Sequence, residues 1–132
     1  PLTCSDVYES DAVGFDSEPF YNLVVGFDTT ESPRDIQDFL HAIESDSGRL
    51  RSGELTARTL DLDLLLYDDA VINESGLVLP RDDITRYAFV LRPLAEIAGR
   101  ERHPVSGECF ADMWAAFDAD SQPMVRVDWP PA

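Results

Sequence analysis

The sequence contains no lysine. All ten of its basic residues are arginine, set against 26 aspartates and glutamates, and the formal net charge is -16. Such a surface lacks the basic footprint that nucleic-acid binding requires. It also opposes docking on anionic lipid. Self-repulsion should be strong at low salt. Cysteine is scarce: Cys4 and Cys109 lie far apart and form no C-x-x-C pattern, which excludes a disulfide framework and points to a reduced compartment. The two histidines, His41 and His103, are equally isolated, so no zinc spacing exists. No apolar run approaches the ~20 residues that span a bilayer. The opening Pro-Leu-Thr-Cys-Ser-Asp has no basic segment leading into an apolar one, so no signal peptide is expected. The expected location is the cytoplasm.

What is present fits one domain over 132 residues, 44% of them hydrophobic. Residues 2–9 alternate weakly, and Phe20 to Phe27 is rich in β-branched and aromatic residues; both read as strands, with a loop from Asp11 to Pro19. Ser32-Pro33-Arg34-Asp35 predicts a helix start, followed by a stripe of Ile36, Phe39, Leu40 and Ile43 and a stop at Gly48. Arg49 to Ala57 reads as a polar loop. Val71-Ile72 and Val78-Leu79 flank Asn-Glu-Ser-Gly, a hairpin. Tyr87 to Leu91 is ambiguous between strand and helix. Pro93 to Ala98 predicts a short helix closed by Gly99. Ser106 caps a last helix carrying Phe110, Met113, Trp114 and Phe117, and Val125 to Val127 suits an edge strand. Strands and helices in this order give an α+β domain, without repeats.

The chemistry concentrates between Arg58 and Tyr67, R-T-L-D-L-D-L-L-L-Y. On a strand, Leu60, Leu62, Leu64 and Leu66 would line one face, and Asp61 and Asp63 the other. Two carboxylates so placed suit a hard divalent cation such as Mg2+. From Arg49 to Arg58 the chain holds three arginines and one acid, Glu54, a local inversion of sign that polyphosphate binding requires. Carboxylates for magnesium beside arginines for phosphate suggest phosphoryl or pyrophosphoryl transfer. The alternative from spacing alone is an amphipathic edge strand with a solvated outer face, its arginines paired with surface acids. For Asn22, Phe20, Phe89 and His41, ordinary backbone bonding, packing or exposure competes with a ligand role.

The run R-T-L-D-L-D-L-L-L-Y, then V-I-N, L-V-L-P, F-V-L-R-P-L-A-E-I-A and H-P-V-S-G, resembles the 6-hydroxymethyl-7,8-dihydropterin pyrophosphokinase family. The likeness runs from about Leu2 to Phe117. It implies transfer of diphosphate from ATP to the pterin hydroxymethyl group in folate biosynthesis. It implies a ferredoxin-like, βαββαβ-type antiparallel sheet with helices, here N-terminally truncated. By resemblance, Asp61 and Asp63 hold two Mg2+ ions, Arg58 engages phosphate, and Arg49 and Arg51 belong to a mobile loop. Asn22 bonds the pterin edge, Phe89 stacks on the ring, and Phe20, Ser10, Val13, Gly14 and Glu44 complete the substrate side. His41, Leu64 and Arg81 fall on the nucleotide side.

The departures are specific. The family's first strand, which ends in a G-S-N turn and lies in the middle of the sheet, and the long helix after it are absent here. Arg81 stands for a histidine, and Tyr87 for an arginine two residues before the stacking Phe. The loop between Arg51 and Arg58 is short. Two outcomes are therefore carried forward: an active enzyme, or an impaired paralogue or fragment that binds a pterin or a protein partner. The absent strand predicts either a homodimer or a sheet closed around the gap.

Overall fold

The structure, a computed structural model, describes residues 2–10, 20–50 and 61–128, with backbone alone at 20 and 47–50. In chain order its elements are β1 (Thr3–Cys4), β2 (Val7–Ser10), β3 (Phe20–Asn22), β4 (Val25–Gly26), α1 (Pro33–Leu50), β5 (Ile72–Glu74), β6 (Leu77–Leu79), α2 (Asp83–Arg86), α3 (Ala88–Ala98), α4 (Phe110–Ala116) and β7 (Met124–Val127). The fold is α+β, as expected. The described strands form three antiparallel sheets, ordered β1-β4, β3-β2-β7 and β5-β6. The chain divides into two compact units, residues 1–28 with 82–132, and residues 29–81. Among the described residues no helix is long and apolar enough to cross a membrane.

In the first unit, each expected strand is interrupted once, at the same place. Tyr8 pairs with Asn22 but Cys4 pairs with Val25, so four steps on one strand match three on the other. Ser5 and Asp6 therefore stand opposite Val24 alone, as a bulge. Buried Ser5 makes both bonds to Val24. Its N–H donates to the Val24 carbonyl and its Oγ accepts from the Val24 N–H, each at 2.9 Å. The surplus N–H of Asp6 donates to Glu96 Oε2 at 2.8 Å, and the Tyr8 hydroxyl donates to Glu96 Oε1 at 2.6 Å. One turn back on α3, the Arg92 guanidinium lies 4.7 Å over the Tyr8 ring. Burial, then the bond to Glu96, pushes the Tyr8 phenol up to about 12. On the outer side of β2 the expected edge strand is present: β7 pairs Val127 with Val7 and Met124 with Ser10, and Arg126 reaches Asp6 Oδ2 at 3.0 Å.

The core of this unit is Val7, Tyr8, Ile84, Ala88, Leu91, Leu94 and Phe110. The ambiguous segment after Tyr87 is helical: α3 begins at Ala88 and runs through Pro93 rather than starting there. Proline forfeits the bond to the Phe89 carbonyl, but Leu91, Pro93 and Leu94 are all buried, and packing outweighs propensity. Gly99 follows because α4 crosses close by. A Cβ there would lie 2.6 Å from the Ala95 carbonyl oxygen and 3.3 Å from Ala111 Cβ.

Ser106 does not cap the last helix, whose N-cap is Cys109. His103 is the reason. Its buried ring places Nδ1 3.2 Å from both the Val105 and Ser106 amides and accepts from each. Its backbone closes the same turn, donating to Glu108 O and accepting from the Gly107 N–H. Gly107, at φ 78°, supplies the left-handed corner. The chain turns back here before α4 can start.

In the second unit, Ser32 caps α1 as expected, its Oγ accepting from the Asp35 N–H at 3.1 Å. The inward face differs from the expected stripe. Ile36 and Gln37 are buried, whereas Phe39 is 63% exposed. Two polar ties to the β5-β6 hairpin rotate the helix: Gln37 Nε2 donates to Gly76 O at 2.7 Å, and Arg34 pairs with Glu74 at 2.9 Å. Gly48 does not end the helix, which continues to Leu50. A helical glycine costs about 1 kcal/mol and need not terminate it. The hairpin forms as read, turning at Gly76 (φ 78°) with Leu77 and Leu79 buried and Val78 exposed.

Burial lowers the His103 pKa from its usual 6.5, with Glu108 pulling weakly the other way. The folded state thus binds fewer protons than the unfolded chain, so its contribution is complete above pH ~6.5 and is lost as pH falls below that value. His103→Asn retains a short acceptor near Nδ1 without titrating. Thermal melts from pH 7 to pH 5 should show a smaller loss of midpoint in this variant than in the unaltered chain.

Candidate functional site

The segment bearing Asp61 and Asp63 is not a strand. Residues 61–67 carry no regular element, and their polar backbone is held by other means. The Leu62 N–H donates to Glu44 Oε2 at 2.5 Å, and the Leu65 carbonyl accepts from the Arg81 N–H at 3.1 Å. The Tyr67 hydroxyl donates to the Glu31 carbonyl at 2.7 Å. The expected alternation survives over four residues: Asp61 and Asp63 are exposed, Leu62 and Leu64 half-buried. It ends there, since Leu65, Leu66 and Tyr67 are all half-buried. The two-residue spacing therefore still turns both carboxylates outward without a ladder.

Around them the second unit gathers several of the expected residues. Arg81 Nη1 lies 3.9 Å from Asp63 Oδ1. Glu44, expected on the substrate side, fixes the amide between the two aspartates. His41 is exposed one turn earlier on α1, and Leu64 follows Asp63 directly. Arg49 lies on α1 rather than in a loop. Arg51 and Arg58, with the residues between them, lie outside the described residues.

The donor chemistry fits magnesium. Two exposed carboxylates offer hard oxygen ligands, and among the described residues no group of three or more His, Cys, Asp or Glu forms a closed cage. Magnesium takes one or two carboxylates and completes its octahedron with water and phosphate oxygens. A pair of aspartates is the right size of contribution for that, and too small for a structural metal centre.

Of the residues expected on the pterin side, Glu44 lies in the second unit, and Ser10, Phe20, Asn22 and Phe89 lie in the first. Asn22 pairs with Tyr8 and Phe20 with Ser10. Tyr8, Ser10 and Asn22 share the face of the sheet on which α3 packs, since Tyr8 meets Glu96 and Arg92 there. Phe89 is half-buried near the start of α3. Its ring stacks on Tyr87 at 5.0 Å and 17°, with the Arg86 guanidinium 5.7 Å from the Tyr87 ring. Val13 and Gly14 lie outside the described residues. Two features were missed in the sequence. Glu96, seven residues after Phe89 on the same helical face, was legible from that spacing. Gln122, whose Oε1 accepts from the Ala88 N–H and whose Nε2 donates to the Arg86 carbonyl, each at 2.9 Å, gave no signal in a polar tail.

Residues 1–99 match the family model described as 7,8-dihydro-6-hydroxymethylpterin-pyrophosphokinase, and the chain belongs to that family. It is 41% identical over 104 residues to the 2-amino-4-hydroxy-6-hydroxymethyldihydropteridine pyrophosphokinase of Pseudomonas aeruginosa, covering 78% of this chain and 64% of that protein. The Haemophilus influenzae protein of the same name is 40% identical over 98 residues, 74% of this chain and 61% of its own length. The folic acid synthesis protein fol1 of Pneumocystis carinii is 33% identical over 126 residues, 94% of this chain but 17% of that protein. The chain thus spans less than two thirds of the length of these relatives.

Glu44→Ala removes the acceptor of the Leu62 amide. Hydrogen exchange at Leu62 should speed up by about tenfold or more, while amides of the β5-β6 hairpin stay protected.

Proposed function

We infer that this chain transfers the β,γ-diphosphate of ATP to 6-hydroxymethyl-7,8-dihydropterin, a step of folate biosynthesis, in the cytoplasm. The carrying observation is the outward pair Asp61 and Asp63, anchored through Glu44 and Leu62 and flanked by Arg81. In this reading Asp61 and Asp63 hold two Mg2+ ions. The chemistry magnesium supplies when bound is neutralisation of phosphate charge and a lower pKa for the pterin hydroxyl. The residues do the rest. Arg49, Arg51 and Arg58 balance charge on the transferred group. His41, Leu64 and Arg81 receive the nucleotide. Asn22 bonds the pterin edge, Phe89 stacks on the ring, and Phe20, Ser10, Val13 and Gly14 close around it. The hydroxymethyl oxygen attacks the β-phosphorus, the bond to the α-phosphate oxygen breaks, AMP departs, and the hydroxyl proton passes to solvent. The strands and helices take the ferredoxin-like βαββαβ arrangement in this reading.

One observation favours a second reading, binding without turnover. Arg81 sits 3.9 Å from the carboxylate that the metal needs and competes for it. Exposed pairs of this kind are weak, worth about 0–1 kcal/mol, so magnesium with its nucleotide should displace the arginine. The net charge of -16 leaves nucleic acid and anionic membranes out of the set of partners. A second copy of the chain is included. Among the described residues β3 lies at the outside of its sheet, beside β2, and Tyr21 and Leu23 are exposed along it. Exposed apolar residues along an outer strand favour association.

The decisive assay follows AMP. Its formation should require ATP, Mg2+ and the hydroxymethyl dihydropterin together, and Asp61→Asn or Asp63→Asn should lower it by about a hundredfold or more. Production of ADP, or AMP formed without the pterin, contradicts the transfer. Binding of both ligands without AMP selects the second reading. For association, sedimentation at low and high salt should show the dimer favoured by salt, which screens the -16 charge. A monomer under both conditions contradicts it.

A further inference from the structure

We propose that Gln122 is a positioning residue for the pterin side: its carboxamide fixes the start of α3 and, through it, the ring of Phe89. The role rests on the reading of Asn22 and Phe89 as pterin contacts.

The first N–H groups of a helix have no partner within it. At α3 the N-cap, Tyr87, makes no side-chain cap bond. Ala88 is buried, so its N–H has little access to water. Gln122 Oε1 takes that bond at 2.9 Å. The other end of the same amide donates from Nε2 to the carbonyl of Arg86, the last residue of α2, also at 2.9 Å. One rigid plane thus brackets the joint between two helices. Tyr87 occupies that joint in extended conformation (φ -123°, ψ 128°), and its ring carries the stacked ring of Phe89. Slack between Arg86 and Ala88 would pass to both rings.

Gln122 is itself held on both sides. Its N–H donates to Ala119 O at 3.1 Å, and β7 begins two residues later. That strand pairs Met124 with Ser10 on β2, which in turn pairs with β3 and Asn22. A single stretch, Gln122 to Val127, is therefore attached to α3, which carries Phe89, and to the sheet that carries Ser10 and Asn22. It lies beyond residues 1–99, the part matched by the family model. Both ends of the amide are needed. Glutamate keeps an acceptor for Ala88 but turns a carboxylate oxygen toward the Arg86 carbonyl.

The experiment titrates the fluorescent probe 6-hydroxymethylpterin into the full chain and into Gln122→Leu, alone and combined with Phe89→Leu or Asn22→Ala. Gln122→Glu provides an isosteric second variant should the leucine variant fail to fold. Either change at Gln122 should weaken binding, by about tenfold for leucine. The loss should shrink below about twofold when Phe89 is already leucine, and persist in full when Asn22 is already alanine, because only Phe89 transmits it. Unchanged affinity in the Gln122 variants overturns the proposal. An equal loss in all backgrounds also overturns it, as a general loosening of structure would produce that. If the unaltered chain does not bind the probe, the pterin reading itself falls, and the role of Gln122 with it.

Discussion

One surplus backbone N–H organises the first unit. The bulge at Ser5-Asp6 leaves the Asp6 amide outside the strand ladder, and Glu96 accepts it together with the Tyr8 hydroxyl. A carboxylate with two donors joins a strand to a helix at a fixed height. Because Tyr8 pairs with Asn22, and Phe89 stands two turns before Glu96, the same tie fixes the strand that carries Asn22 relative to the helix that carries Phe89. Replacing Glu96 would leave a strand amide and a buried phenol to find other partners, so the constraint works in both directions: the bulge needs the helix, and the helix takes its position from the bulge.

The second unit solves a different problem. Its aspartate segment turns two carboxylates outward without pairing to a strand among the described residues. Side chains take over: Glu44 receives the Leu62 amide, and the Arg81 amide bonds the Leu65 carbonyl. This arrangement leaves Asp61 and Asp63 exposed. In the proposed reading, a chain of net charge -16 repels an anionic nucleotide at long range, and a bound cation with nearby arginine would reverse the sign locally. Arg81 offsets part of the negative charge beside Asp63.

Local chemistry was legible in the sequence wherever it sufficed to decide the structure. The Ser32 cap, the Gly76 hairpin and the edge strand at Met124–Val127 all formed as read. Misreadings arose where a distant partner decided. Phe39 was assigned inward by periodicity, but Gln37 and Arg34 reach the hairpin and turn it out. Ser106 resembled a cap until His103 took its amide. Proline at position 93 suggested a helix start, yet burial of its neighbours carried α3 back to Ala88. The two aspartates kept their outward orientation because a two-residue spacing needs only extended backbone, not a ladder. Gln122 could not be foreseen, since one polar residue in an acidic tail has no pattern.

The central claim, that Asp61 and Asp63 bind nucleotide through magnesium, is tested most directly by calorimetric titration of a non-hydrolysable ATP analogue. The account predicts heat of binding with Mg2+ present, none when Mg2+ is chelated, and none for Asp61→Ala or Asp63→Ala chains that retain their fold. Equal binding with and without the metal, or in both aspartate variants, would contradict it.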